Sequence, residues 1–121
     1  MFSFLRPGAA PARPSVSEVA KLVAEGKVLM IDVREVAEAR ASGIAEGARL
    51  VPLSVLPLKA DPHQPDCVLP QGLPIVAYCA AGARSARAAE ILGRMGYAEV
   101  SNLGGLGDWA ADGGRVVPYK G

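Results

Sequence analysis

Apolar residues in this chain gather into short unbroken runs, separated by stretches in which they recur at helical spacing, a pattern that predicts alternating strands and helices. Ser15-Val16-Ser17-Glu18 fits a capping box, and Val16, Val19, Ala20 and Val23 then share one helical face up to a stop at Gly26. Lys27 to Val33 is a nearly continuous apolar run of strand length, as expected of a strand covered on both faces. Glu35 to Ser42, rich in Ala, Glu and Arg and closed by Gly43, predicts a short surface helix. Arg49 to Leu53 predicts a second strand, stopped by Pro52. Between Ser54 and Pro74 five prolines leave room for one helical turn and a long surface loop. Leu73 to Tyr78 is the next strand. Ala83 to Met95 is a helix with Ala88, Ile91, Leu92 and Met95 turned to a sheet, and it ends at Gly96. Tyr97 to Leu103 is the last clear strand, and the glycine-rich turn from Gly104 leads into a short helix carrying Trp109.

Strands that read as apolar runs and alternate with helices argue for an α/β fold, a parallel sheet with helices on both faces. Ligands of such sheets bind beyond the carboxyl ends of the strands. Asp32, Arg34 and Cys79 stand at or just past predicted strand ends, so this topology gathers them on one edge.

Composition narrows the picture. With 121 residues, half of them apolar, the chain can form one domain with a substantial core, expected over residues 15–121, and residues 1–14, with Pro7, Pro11 and Pro14, read as a flexible tail. A net charge of +1 with scattered charged residues points to neither nucleic acid nor a membrane surface as partner. Two cysteines and one histidine make no disulfide framework and no metal-ligand cluster, so no metal and no cofactor is expected. The absence of a signal-type core or a membrane-length apolar segment leads to a cytoplasmic expectation.

The chemistry concentrates in Val76-Ala77-Tyr78-Cys79-Ala80-Ala81-Gly82-Ala83-Arg84-Ser85-Ala86-Arg87. A buried strand delivers Cys79 into a loop of small residues that turns at once into a helix. Every residue from Ala80 to Arg84 keeps its amide hydrogen, and side chains this small leave the loop floor to the backbone. Amides, the helix start and the Arg84 guanidinium all favour negative charge on the sulfur. Such settings bring a thiol from about 8.5 down to roughly 3.5–7.5, with no histidine base required. Only four residues separate Cys79 from Arg84, one fewer than in the phosphate cradle of cysteine-dependent phosphatases, and the smaller ring suits a cysteine carrying one added sulfur atom.

From Val16 to Val117 the chain resembles single-domain rhodanese-like proteins. The residues carrying the resemblance are Ile31-Asp32-Val33-Arg34-Glu35, Gly43, Gly47-Ala48 and Val51-Pro52-Leu53, then Tyr78-Cys79, Gly82, Arg84-Ser85 and Ala88-Ala89. Asn102-Leu103-Gly104-Gly105, Trp109 and Gly113 complete the pattern. The resemblance implies a three-layer fold with a central five-stranded parallel sheet flanked by helices. It also implies sulfurtransferase chemistry: sulfane sulfur passes from thiosulfate or a persulfide or polysulfide donor to a thiol, cyanide or protein acceptor. Cys79 matches the catalytic cysteine, and Ala80, Ala81, Gly82, Ala83 and Arg84 match the substrate-binding loop. Where many members carry His-Ile-Pro after the glycine, this chain has Ile44-Ala45-Glu46.

Other residues read more plainly. A carboxylate beside a thiolate would raise the thiol pKa, so Asp32 and Arg34 are expected to brace the strand end rather than react. Arg87 is expected to be solvated, His63 exposed and Trp109 packed. Cys67 precedes a strand about 17–20 Å long that ends at Cys79, so a disulfide between them is not expected. Two further readings stand beside the transferase: a binding or sulfur-relay module with little turnover of its own, and phosphatase or arsenate-reductase chemistry on the same cysteine loop.

Overall fold

A computed structural model describes residues 14–121. Apart from Pro14, which is buried, the expected tail lies outside the described residues. The elements run α1 (Val16–Ala24), β1 (Leu29–Asp32), α2 (Val36–Ser42), β2 (Ile44–Ala45), β3 (Arg49–Leu50), a 3-10 turn (Leu53–Val55) leading into α3 (Leu56–Lys59), β4 (Ile75–Cys79), α4 (Ala83–Arg94), β5 (Val100–Gly105), α5 (Leu106–Ala111) and β6 (Val116–Val117). Ser15 caps α1, its hydroxyl accepting the Glu18 amide.

Four strands form one parallel sheet in the order β3-β1-β4-β5. The two central strands are buried at every position, as their unbroken apolar runs require. Alternate residues then serve opposite faces. Met30, Val76, Tyr78 and Leu103 pack with Val16 and Val19 of α1 and Trp109 of α5. Ile31, Ala77 and Cys79 pack with Leu56 of α3 and Ala88 and Leu92 of α4. Each large aliphatic side chain buried in these two cores contributes about 1.5–3 kcal/mol relative to exposure.

The sheet has four strands, not the five implied by the resemblance. The remaining strand-forming residues, Ile44–Ala45 of β2 and Val116–Val117 of β6, pair with each other in a separate antiparallel sheet. The Tyr78 hydroxyl accepts the Ala45 amide at 3.0 Å and ties that small sheet to the main core.

At its other end β5 departs from the expected strand over residues 97–103. Tyr97 is core, with its hydroxyl donating to the Ala60 carbonyl at 2.6 Å, and the strand starts later and runs through Gly104 and Gly105. Those glycines pair with Tyr78 and Cys79, while Asn102 pairs with Ala77, so Leu103 is an extra residue in a bulge. A glycine pair that reads locally as a turn thus forms the strand edge beside the cysteine.

Candidate active site

Cys79 is the last residue of β4, and its side chain is only 1% exposed. The chain leaves it through Ala80 and Ala81 to Gly82, whose φ of 105° lies in the left-handed region open chiefly to glycine. That turn brings the Gly82 amide to 2.9 Å from Cys79 Sγ and starts α4 immediately afterwards. Gly105 closes the ring from β5: a Cβ there would lie 2.3 Å from the Ala80 carbonyl oxygen. Only glycine lets β5 approach the loop this closely.

Ser85, fully buried in the first turn of α4, points back to the same sulfur. Its Oγ stands 3.4 Å from Cys79 Sγ, 2.6 Å from Asn102 Oδ1, 3.1 Å from the Gly82 carbonyl and 3.3 Å from the Gly104 carbonyl. One hydroxyl proton has four acceptors within reach. Asn102 is fixed in orientation, because its Oδ1 accepts the Gly104 amide at 2.9 Å while its Nδ2 donates to the Gly82 carbonyl at 3.1 Å. The β5 bulge therefore holds the loop and the serine together.

Two opposing effects act on the Cys79 thiol. Burial pushes it up, but the Ser85 hydroxyl and the amides of Ser85, Gly82 and Ala81 together outweigh burial and hold it below the usual thiol range. These donors favour charge on sulfur without a histidine.

Arg84, at the end of the loop, makes a two-point ion pair with Glu38 of α2: Nη1 to Oε2 at 2.7 Å and Nη2 to Oε1 at 2.8 Å. Both side chains are 36% exposed. The hydrogen bond from Arg84, joined by the Glu35 amide, lowers the Glu38 carboxyl to about 2, and the same pairing raises the Arg84 guanidinium. Ala80, Ala81 and Ala83 are exposed and Gly82 half-buried, so the ring opens outward on small groups.

Asp32 and Arg34 lie beneath this surface. Arg34 Nε and Nη2 bond the Asp32 carboxylate at 2.8 to 3.1 Å, and its remaining donors reach Ser42 Oγ at 2.7 Å and the Gly43 carbonyl at 2.6 Å. The pair is 3% and 0% exposed and joins the end of β1 to the end of α2. Arg87 faces Glu90 at 3.5 Å with both side chains more than half exposed. The His63 side chain is 91% exposed beside Asp61, and Trp109 is buried. Cys67 and Cys79 are both free.

Glu38, Ser85 and Asn102 were not singled out as site residues from sequence. Ser85 carried a usable signal, since a hydroxyl in the first turn of a helix that starts beside a cysteine faces back to the loop. Glu38 carried none, being 46 residues from Arg84 in the chain. Among the described residues no group of three or more His, Cys, Asp or Glu could hold a metal, and no helix is long and apolar enough to cross a membrane.

The family model of the rhodanese-like domain matches residues 15–112. A protein named sulfurtransferase from Allochromatium vinosum is 35% identical over 95 residues, covering 78% of this chain and 82% of that protein. The human single-domain sulfurtransferase TSTD1 superposes with a TM-score of 0.69 at 28% identity, covering 85% of this chain and 97% of that one. A protein of unknown function from Rhodopseudomonas palustris, described as a possible tyrosine phosphatase, gives a TM-score of 0.76 at 28% identity, with 88% and 85% covered.

Proposed function

The chain belongs to the rhodanese-like domain family, and from that premise we propose that it is a sulfurtransferase working through a persulfide on Cys79. The observation that carries the reading is the ring of donors, the Gly82 amide at 2.9 Å and the Ser85 hydroxyl at 3.4 Å, aimed at a buried sulfur. The Cys79 thiolate attacks the outer sulfur of thiosulfate. The S–S bond of the donor breaks, sulfite leaves with the electron pair, and Cys79 carries the outer sulfur as a persulfide anion. Cyanide or a thiolate then attacks that sulfur and departs as thiocyanate or a new persulfide, restoring the Cys79 thiolate. With a persulfide donor the leaving group is a thiolate instead. Amides of residues 80 to 84 hold the negative charge that accumulates at the ring in both steps.

Mass spectrometry of the intact protein after exposure to thiosulfate, polysulfide or a persulfide tests this reading. One sulfur atom should add to the wild type and none to Cys79→Ser; wild-type protein that gains no sulfur from any donor defeats the proposal.

The alanine-lined mouth favours a second reading, a sulfur-relay module that turns over only with a partner protein. Rapid turnover of a free donor with no partner present excludes it. Phosphatase chemistry fits less well, because four residues separate Cys79 from Arg84 and the Arg84 guanidinium is already paired. Hydrolysis of an aryl phosphate lost in Cys79→Ser would reinstate it.

A further inference from the structure

Arg84 is the only charged side chain in the loop, and an anionic donor entering the ring would be expected to meet its guanidinium. In the structure that guanidinium faces a carboxylate: both Glu38 oxygens are bonded to its two terminal nitrogens at 2.7 and 2.8 Å. A dianion approaching Arg84 must displace Glu38 or share the cation with it, and it meets repulsion in either case. Of the neighbouring arginines, one is buried and the other is an exposed residue paired along its own helix. Arg34 is buried and committed to Asp32, Ser42 and Gly43, and Arg87 stands 3.5 Å from Glu90.

Glu38 is itself held in place. Its Oε2 accepts the Glu35 amide at 2.9 Å, the N-terminal cap of α2, so the carboxylate is presented to Arg84 from a fixed helix end. Two-point geometry, a capped helix and partial shielding make this a stronger pair than an ordinary surface contact.

We propose that Glu38 is a specificity-determining residue: by occupying Arg84, the one charged side chain of the loop, it turns the site away from thiosulfate toward persulfide donors. This rests on the sulfurtransferase reading. A persulfide brings at most one negative charge to the ring, carried on the sulfur that the loop amides receive, whereas thiosulfate brings two and places its sulfonate oxygens toward the rim. When Cys79 attacks a persulfide RS–SH, the S–S bond breaks, RS⁻ departs and the terminal sulfur with its proton remains on Cys79.

The test is steady-state kinetics of the full chain with thiosulfate and with cysteine persulfide, cyanide being the common acceptor. Glu38→Gln keeps an oxygen that can accept the Glu35 amide but removes the charge. It should raise the ratio of kcat/KM for thiosulfate to that for cysteine persulfide about two- to fivefold, the reach of a charge interaction at a partly exposed site, and act through the thiosulfate KM rather than kcat. Adding Arg84→Gln to this variant should return the ratio to the wild-type value. A ratio that does not move, or a kcat that falls alike for both donors as for a mere brace between helices, overturns the proposal. Wild-type protein supplies an independent check: with the rim cation neutralised, kcat/KM for thiosulfate should change by less than about twofold from low to high salt, whereas a steep fall reveals a free cation and overturns the proposal. If neither donor places sulfur on Cys79, the sulfurtransferase reading falls and this inference with it. Sulfur loading with an unmoved ratio defeats this inference alone.

Discussion

Two arginine–carboxylate pairs lie on the same edge of the sheet, and both tie α2 to the elements around the cysteine. Arg34 and Asp32 are 3% and 0% exposed, and the bonds between them are buried. Arg84 and Glu38 are each 36% exposed and face the mouth of the cysteine ring. The bond lengths are alike, so geometry does not separate them. Water does. Breaking the inner pair strands a charge where solvent cannot reach it, whereas breaking the outer pair leaves groups that solvent can reach. Loss of the buried pair should therefore cost the fold more than loss of the exposed one.

The largest effect should come from the inner pair. Asp32→Ala leaves the Arg34 guanidinium buried without its carboxylate and should cost about 3–5 kcal/mol, read from the midpoint of urea unfolding. A loss below about 1 kcal/mol would break the contrast. Next is the Cys79 thiol. Burial raises the Cys79 thiol and the loop donors lower it, so Ser85→Ala should move the acid limb of the pH–rate profile toward alkaline pH, with activity lost at low pH and recovered at high pH. Arg84→Gln should leave that limb nearly in place, which separates the work of the donors from that of the rim.

Stability of the outer pair should be small: Arg84→Gln is expected to shift unfolding by less than about 1 kcal/mol. A drop as large as that of Asp32→Ala would make both pairs scaffold. The smallest effect is its dependence on pH. Glu38 is lowered to about 2 by its hydrogen bond from Arg84, so its contribution is present above the unfolded carboxyl value of about 4.3 and is lost as pH falls through about 2. Wild type and Glu38→Gln should thus keep a constant difference in unfolding midpoint from neutral pH down to about 5 and converge in strong acid. Convergence near neutrality would show that the carboxylate is not held by Arg84.

The same contrast shows what could be read in the chain. Arg34 finds Asp32 two residues away at a strand end, and a contact at that spacing is within reach of the local pattern. Arg84 looked free to face an anion because its partner is 46 residues distant on another helix. Helix α4, strand β4 and the loop between them were legible because small residues, an apolar run and a helical period lie in one continuous stretch. Strands β2 and β6, two residues each, are too short to show any period, and the glycines of β5 read as a turn because their ladder partner Cys79 is remote in sequence.

The sequence by itself determined the local chemistry: a cysteine at the end of a buried strand, four small residues that keep their amide hydrogens, a glycine able to turn the chain and an arginine at the start of a helix. Backbone geometry and side-chain size operate over a few residues, so they are written in order along the chain. Tertiary structure alone decided what that chemistry faces. The packing of β5 against the loop brought Asn102 to Ser85, and the seating of α2 beside α4 gave Arg84 its carboxylate. Those contacts depend on how whole elements dock through their buried faces, and no local pattern around Arg84 or Ser85 encodes which polar residue such docking carries along.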